Sequence, residues 1–417
     1  MPPDPIWAGT EIEDDTAPLR AQHRRSVGGD SEHPAALGEW DAGEDDGPIP
    51  PRRWLLGNSF CRRFLSGVLA DGAVGKTALR ITQLLSLATG RPLTGEHVFG
   101  RRRVLLISLE DDRDELRRRV RAAMLHHEIK PEEIKGWLFL ATPKGMKLIE
   151  KSPTGAEQIG KLEGALRATI AKHDIDLVCL DPFVKAHGLE ENDNSAIDRV
   201  CDLLAQIAIE CDIAADAAHH VSKGPAAAGA GDANRGRGAS AMKDAFRLVY
   251  TLTPMSKEER EQFGLSEAEA RCLVRYDPAK VNIAPPPSEA RWFRILGVPL
   301  GNPTDEYPSG DEVQAVEPWT PPDLWGHVPV AVANEILDRI ERGNDKGQRF
   351  SGDPRAGEKR AAWRHVLARV PELTEAQCRK VIATWLASGV LETRSYDDPA
   401  TRKQERGLFV NDGRRPG

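Results

Sequence analysis

The sequence predicts an α/β fold built on a mostly parallel sheet, followed by a small C-terminal α+β unit. Three observations support this prediction. Short apolar runs alternate with amphipathic stretches from about residue 51 to 300. Two of these runs, 104–109 and 177–180, show no polar alternation, which is typical of parallel strands buried on both faces. Beyond residue 325, three helical patterns precede two strand patterns.

Composition sets the class of protein. The 417 residues suffice for two or three domains, and 40% apolar with 29% charged residues is typical of a globular chain. No apolar run approaches the roughly 20 residues that a membrane span needs, and the N-terminus does not resemble a signal peptide. The cysteines form no Cys-x-x-Cys pair, which argues against a zinc ribbon and a disulfide framework. We therefore expect a soluble, cytoplasmic protein.

The net charge of −7 is unevenly distributed. Residues 1–50 contain 12 acidic and 3 basic residues and show no periodic apolar pattern, which predicts a disordered acidic tail. The remainder of the chain carries 52 acidic and 54 basic residues. From residue 330 onward there are 17 basic and 13 acidic residues, so the C-terminal part is mildly basic.

The individual elements follow from the apolar spacing. The predicted order is a strand at 64–69, a helix at 77–88, a strand at 104–109, a helix at 111–124, a strand at 177–180, a helix near 194–210 and a strand at 213–218. This strand–helix repetition indicates a parallel sheet. Residues 301–325, rich in Pro, Gly, Asp and Glu, are predicted to be a linker between domains at 51–300 and 326–417.

The C-terminal unit is predicted to hold helices at 329–340, 357–370 and 374–388, then strands at 391–395 and 407–410. Thr374 and Gln377 have the spacing of a capping box at the start of the third helix. Three helices followed by a hairpin is the order of a winged helix. Arg379 and Lys380 on the third helix are candidate DNA contacts, and the alternative is a winged helix that contacts protein.

A glycine-rich turn lies between the first strand and the first helix. Its residues are Ala70, Asp71, Gly72, Ala73, Val74, Gly75, Lys76, Thr77 and Ala78. The turn matches the phosphate-binding pattern G-x-x-x-x-G-K-[ST], except that alanine replaces the first glycine. Backbone N–H groups and a helix N-terminus would hold phosphate, the lysine would reach the β- and γ-phosphates, and the threonine would supply an oxygen to Mg²⁺. The alternative is a glycine turn that only caps a helix.

Two later strands end in acids. Asp181 follows the apolar run 177–180, where a nucleotide-binding fold places the aspartate of the magnesium site. Glu110 follows the run 104–109, and adjacent parallel strands bring their C-terminal ends together. Glu110 is therefore a candidate for orienting attacking water, and its alternative is helix capping together with Asp111 and Asp112.

Three further groups complete the candidates. His219 and His220 end the strand at 213–218, where a histidine can sense a γ-phosphate, and no ligand cluster nearby supports a metal site. The loop 223–238 is small and basic, and Lys223, Arg235 and Arg237 are candidate contacts to a phosphate backbone. The arginine-rich run 113–121 is predicted to be a solvated helix face with ion pairs spaced i,i+4.

Taken in order, these motifs resemble the RepA-type branch of the RecA-like ATPases, whose best-known members are hexameric replicative helicases of plasmids. The resemblance covers residues 50–296, and its most specific segments are 219–223, 229–232 and 237–240. Ala70, Asp71 and Ala73 depart from the family pattern.

The resemblance implies roles for single residues. Glu110 would activate water, Asp181 would hold magnesium, and His220 would sense the γ-phosphate. Arg247 would be an arginine finger that reaches the site of a neighbouring subunit. Lys280 and Asn282 fall on the family's Lys-x-Asn element.

The resemblance also implies the cofactors and partners: ATP, Mg²⁺, DNA (single-stranded above all), a homo-hexameric ring and replication proteins of a plasmid, prophage or mobile element. Two alternatives stay open at this point. One is an ATP-switched DNA-binding regulator or loader that does not unwind DNA, and the other is a small-molecule phosphotransferase.

Overall fold

The computed structural model describes residues 38–190, 193–220, 239–285, 290–321, 329–353 and 355–416. Lys223, Arg235 and Arg237, and residues 1–37 of the predicted acidic tail, lie outside the described residues. The chain divides into two units, Met1–Pro51 and Arg52–Gly417. In the first unit, residues 38–51 are exposed and form turns and bends. No helix in the described part is both long and apolar enough to cross a lipid bilayer.

The strands of the described residues are β1 (Trp54–Leu56), β2 (Phe60–Cys61), β3 (Leu65–Ala70), β4 (Val104–Ser108), β5 (Leu138–Ala141), β6 (Ile149–Lys151), β7 (Glu157–Ile159), β8 (Leu177–Asp181), β9 (Ala214–His220), β10 (Leu248–Pro254), β11 (Leu273–Val281), β12 (Arg291–Pro299), β13 (Glu312–Trp319), β14 (Leu391–Asp397) and β15 (Gln404–Val410).

The α-helices of the described residues are α1 (Lys76–Thr89), α2 (Arg113–His126), α3 (Pro131–Ile134), α4 (Lys161–His173), α5 (Asn194–Glu210), α6 (Ala239–Ala245), α7 (Lys257–Phe263), α8 (Glu267–Arg271), α9 (Val330–Arg342), α10 (Trp363–Arg369) and α11 (Glu375–Ala387). These bounds agree with the predicted helices of the sheet domain to within about two residues, as expected where end turns fray.

A nine-stranded sheet organises the second unit, in the order β13-β12-β11-β10-β3-β9-β8-β4-β5. The strands from β10 to β5 run parallel to their neighbours. Apolar side chains cover both faces of this part: one layer packs under α1 and α2, the other under α4 and α5. The predicted α/β fold with a mostly parallel central sheet is confirmed.

The predicted linker at 301–325 is wrong at residues 312–319. Residues 312–319 form β13, which pairs antiparallel with β12 from Trp292↔Trp319 to Pro299↔Glu312. Their Pro and acidic content suggested a loop, but β13 is an edge strand, where proline is tolerated because one side needs no backbone donor. Burial of Ala315 and Val316 anchors the strand, so the sheet domain extends to Trp319.

The C-terminal residues form α9, α10 and α11, followed by the antiparallel pair β14–β15. Their own apolar core includes Ile336, Val366 and Trp385. The predicted capping box at Thr374 and Gln377 is present at the start of α11. Helix α11 packs against α7, and the Gln377 side chain lies directly over Gly264. The predicted element order is therefore present, with a shorter second helix.

Candidate nucleotide site

The glycine-rich turn joins β3 to α1 and takes a left-handed backbone at two positions. Ala73 has φ 64° and Gly75, which precedes the first helical residue, has φ 92°. Glycine is favoured at residue 75 because side chains rarely adopt a φ of 92°; a Cβ there would also lie 2.6 Å from Cδ1, the end of the Ile295 side chain. The turn therefore aims the N-terminus of a 14-residue helix at the ends of the parallel strands, the arrangement that binds anions.

Lys76 is buried at the start of α1, and no carboxylate of the described residues forms an ion pair with it. Its Nζ donates to the backbone oxygens of Ala70 (2.9 Å) and Asp71 (2.8 Å), and lies 3.0 Å from His220 Nδ1. Burial lowers the pKa of Lys76 to about 8, against the attraction of Asp181, Asp71 and Glu110. The ammonium group is thus held by neutral dipoles and is available to an anion.

Thr77 and Asp181 lie side by side, as the magnesium prediction requires. Thr77 Oγ1 donates a hydrogen bond of 2.6 Å to Asp181 Oδ2 at the end of β8. Burial raises the pKa of Asp181, while the Thr77 hydrogen bond and Lys76 favour its charged form. Hydroxyl and carboxylate oxygens suit Mg²⁺, which takes few protein ligands and completes its shell with phosphate and water. The described residues hold no cluster of three His, Cys, Asp or Glu ligands.

Glu110 is placed beside Asp181 by strand register. Ser108, the last residue of β4, pairs with Asp181, and Leu109 N donates to Asp181 O (2.8 Å). Two residues past the strand, the Glu110 side chain is exposed toward the same opening. Helix capping falls to Asp112, which accepts from Glu115 N, so Glu110 is not needed as a cap.

His220 ends β9 and faces Lys76. Burial, and next the charge of Lys76, lower its pKa, so the ring is neutral near pH 7. Because an ammonium group only donates, the 3.0 Å contact makes Nδ1 the acceptor and leaves the proton on Nε2. The neighbouring His219 is buried beneath it, against Phe183.

These side chains line one cavity of about 190 Å³. It is lined by Ala73, Gly75, Lys76, Thr77, Ala78, Ser108, Glu110, Asp111, Arg119, Asp181, Pro182, His220 and Gln314. The turn, the two strand-end acids and the histidine are thus brought together, as predicted. Ala70 and Asp71 contribute their backbone oxygens to Lys76, while Gly72 and Val74 complete the turn.

Five lining residues were not among the predicted site residues: Ser108, Asp111, Arg119, Pro182 and Gln314. Arg119, predicted to be on a solvated face, lies 3.0 Å from Asp111 and 3.1 Å from Glu115 and turns into the cavity. Its position two turns into the helix that follows Glu110 is the signal that could have found it. Gln314 comes from β13, and no local pattern could have placed a residue of the predicted linker at the phosphate turn.

Other predicted residues lie outside this cavity. Arg247 is exposed at the start of β10 and is not among the lining residues. Lys280 Nζ donates to the backbone oxygens of Lys243 and Asp244, at the C-terminal end of α6. Asn282 N donates to Arg247 O. The Lys-x-Asn element therefore supports the backbone around Arg247.

Arg379 and Lys380 line a second cavity, of about 340 Å³, between α11 and α7. Arg379 pairs with Glu375 (2.7 Å), and Lys380 is exposed. Glu258 and Glu261 of α7 line the same cavity, so acidic side chains of the sheet domain face the basic residues of α11.

The chain is similar to known proteins over part of its length. Residues 31–226 match the family model of an AAA domain. Among solved structures, a DnaB-like replicative helicase, described with its interactions with primase, is similar with a TM-score of 0.41 and 16% identity. The match covers 55% of this chain and 55% of that helicase, so the chain spans about half of its length. Residues 31–226 of this chain are therefore similar to the AAA domain family.

Proposed function

We propose that the chain is an Mg²⁺-dependent ATPase that assembles into a ring and moves along DNA or unwinds it. The observation that carries the proposal is the single cavity that joins Lys76, the Thr77–Asp181 pair, Glu110 and His220. This set supplies a phosphate-binding cation, oxygen ligands for magnesium and a carboxylate at the place where a γ-phosphate would end.

The chemistry would be hydrolysis of the γ-phosphate. Thr77 and Asp181 would hold the magnesium ion, which supplies charge neutralisation on the phosphate oxygens when bound. Lys76 would bind the β- and γ-phosphates. Glu110 would accept a hydrogen bond from water and orient it toward phosphorus, and the Nε2–H of His220 would donate to a γ-phosphate oxygen. ADP and phosphate would leave.

Arg119 would serve the same site from its own chain. Its guanidinium lies in the cavity, while Asp111 and Glu115 hold it in place. Arginine is suited to phosphate because its planar group donates two parallel hydrogen bonds. We propose that it stabilises the charge that develops during hydrolysis.

The ring is supported by the position of Arg247, which is exposed and lies away from its own cavity. A mixing experiment tests its action on a neighbour. Lys76→Ala and Arg247→Ala chains are each expected to be inactive. Their mixture should regain hydrolysis, because some interfaces then combine an intact Lys76 with an intact Arg247. No recovery in rings shown to be mixed would contradict the assignment.

The motor is tested by ATP hydrolysis with and without single-stranded DNA, with Lys76→Ala as the blank. Stimulation by single strands that the blank abolishes supports a motor acting in replication, and an unwinding assay then follows. Hydrolysis that ignores single strands would overturn it.

A second candidate is an ATP-switched DNA-binding regulator or loader. It is favoured by the C-terminal unit, whose element order is that of a winged helix. This candidate predicts that ATP changes the affinity for duplex DNA while hydrolysis stays slow and indifferent to single strands.

A further inference from the structure

A third concavity lies beside α2, and different residues of this helix line it and the nucleotide cavity. It is a groove of about 850 Å³ between α2, α3 and the edge strand β5. The groove is lined by Asp114, Arg117, Arg118, Val120, Arg121, Met124, Pro131, Ile134, Lys135, Leu138, Leu140, Leu300 and Asn302. None of these residues lines the nucleotide cavity, so the groove is a separate feature.

The floor of the groove is apolar. Val120 and Met124 of α2, Ile134 of α3 and Leu138 and Leu140 of β5 all contribute to it. Leu140 is 39% exposed, which is high for a leucine on a sheet strand. An apolar floor of this size within a polar surface is typical of sites that bind another molecule.

The rim is basic and only partly neutralised. Four basic residues line the groove against one acidic residue, Asp114, which pairs with Arg117 (3.0 Å). Arg118 pairs with Asp311 (3.1 Å) and Glu115 (3.6 Å). Arg121 and Lys135 are exposed, and no described side chain forms an ion pair or hydrogen bond with either. Two cations on the rim therefore remain for an acidic ligand.

One wall of the groove is an open sheet edge. β5 pairs with β4, from Val104↔Leu138 to Ile107↔Ala141, and ends the sheet order. Within the described residues its outer side has no strand partner. An open edge presents backbone N–H and C=O groups that an extended chain can satisfy, and apolar exposed edges are seldom left uncovered.

We propose that this groove binds an extended, acidic segment of a partner protein, which adds to β5 as a further strand. Its apolar side chains would contact Leu138 and Leu140, and its carboxylates would pair with Arg121 and Lys135. An extended peptide is favoured over a helix because only an extended backbone satisfies the open edge of β5. An acidic one is favoured because the rim carries unpaired positive charge.

The test uses the full chain and a fluorescein-labelled synthetic peptide, Asp-Leu-Asp-Phe-Glu-Leu-Asp, read by fluorescence anisotropy. The groove variant is Arg121→Glu/Lys135→Glu, and the matched control is Lys172→Glu, which reverses an exposed charge on α4. The proposal expects binding that weakens with salt, a loss of about tenfold or more in the groove variant, and no change in the control.

A second peptide separates strand addition from charge alone. N-methylation of alternate residues removes the backbone donors on one side and leaves the side chains in place, so this peptide should bind at least about tenfold more weakly. Equal binding of both peptides, equal binding to the groove variant, or no binding to the natural chain would each overturn the proposal.

Light scattering distinguishes a partner from a second copy of this chain. The groove variant is expected to keep the molar mass and the basal ATP hydrolysis of the natural chain. A fall in molar mass would assign the groove to contacts between copies, and the proposal would be wrong.

Discussion

Two buried cations on the same helix, Lys76 and Arg80, differ in every partner they have. They lie four residues apart on α1 and are 4% and 0% exposed. Lys76 contacts two backbone oxygens and a neutral imidazole. Arg80 contacts the carboxylate of Asp216 (2.8 Å), the Gln83 side chain (2.6 Å) and the Tyr276 hydroxyl (3.2 Å).

The different partners indicate different roles: Lys76 is available to bind a ligand, whereas Arg80 stabilises the fold. Neutral dipoles stabilise the ammonium group of Lys76 but leave its charge directed into the cavity, where a phosphate can meet it. A carboxylate neutralises the charge of Arg80, and Arg80 is not among the residues that line the nucleotide cavity. A buried charge needs either polar dipoles or a counter-charge around it, because transferring an uncompensated charge from water into the protein interior is costly.

Asp216, the counter-charge of Arg80, also connects neighbouring strands of the sheet. Besides Arg80, its carboxylate accepts from Ser66 of β3 (2.8 Å) and from Cys179 of β8 (3.4 Å). These strands end in the phosphate turn and in Asp181, and Asp216 itself precedes His220 by four residues. One buried carboxylate therefore links the elements that carry the candidate site.

Breaking this pair should give the largest effect on stability. Asp216→Ala leaves Arg80 buried without a counter-charge, and we expect a loss of about 3–5 kcal/mol in the free energy of unfolding. Urea unfolding followed by tryptophan fluorescence measures it. The double variant Arg80→Met/Asp216→Ala removes both charges and should recover most of the loss.

The matched control is Asp174→Asn, which removes the charge of an exposed pair with Arg103 and keeps a side chain that tolerates the left-handed backbone at this position (φ 49°). It should cost no more than about 1 kcal/mol. A loss in Asp216→Ala as small as in this control would show that the buried pair does not hold the strands.

Removing the charge of Lys76 should leave the stability of the protein unchanged and abolish ATP hydrolysis. Lys76→Met keeps the length of the side chain without its charge, and it also relieves the cost of burying that charge. We expect ATP hydrolysis to fall by about 10²–10³-fold or more, with no loss of thermal stability. Steady-state kinetics and thermal melting of the same sample check this. A variant that melts far below the natural chain would contradict the division of roles between the two cations.

The smallest predicted effect is a pH dependence of nucleotide affinity. With a pKa of about 8 in the free protein, Lys76 is charged below pH 8 and loses its proton as the pH rises through that value. ATP affinity should therefore be highest below pH 8 and fall by up to about tenfold for each pH unit above it.

Lys76→Arg is the control for this titration, since an arginine keeps its charge throughout this range. Fluorescent nucleotide titrations from pH 6.5 to 9.5 give both curves. A natural chain whose affinity is as flat above pH 8 as that of the arginine variant would rule out Lys76 as the titrating group.

Local patterns predicted the parts of the site that lie next to one another along the chain. The turn at Gly75–Thr77 follows an apolar strand. Glu110 and Asp181 likewise lie at the ends of apolar strands. Parallel packing then fixes their meeting point, so the fold and most of the site followed from the sequence.

The remaining parts depend on contacts distant in sequence. Gln314 reaches the cavity because β13 pairs with β12. The local sequence, which is rich in Pro and Glu, does not indicate this pairing. In the sequence, nothing distinguishes Arg80 from other helical arginines or Asp216 from other aspartates in strands. Only the packing of α1 on the sheet brings the two together. Such partners are chosen by tertiary packing and leave no local pattern.

The return of β12 and β13 to the phosphate turn bears on where this protein can be cut. Ile295 lies against Gly75 and Gln314 forms part of the cavity wall, while His127, the residue after α2, contacts Val316 O at 2.8 Å. A recombinant fragment that stops at residue 226, where the AAA match ends, or at residue 300 would lack that wall and expose the apolar side of α1. The shortest fragment that retains a complete nucleotide cavity runs through Trp319.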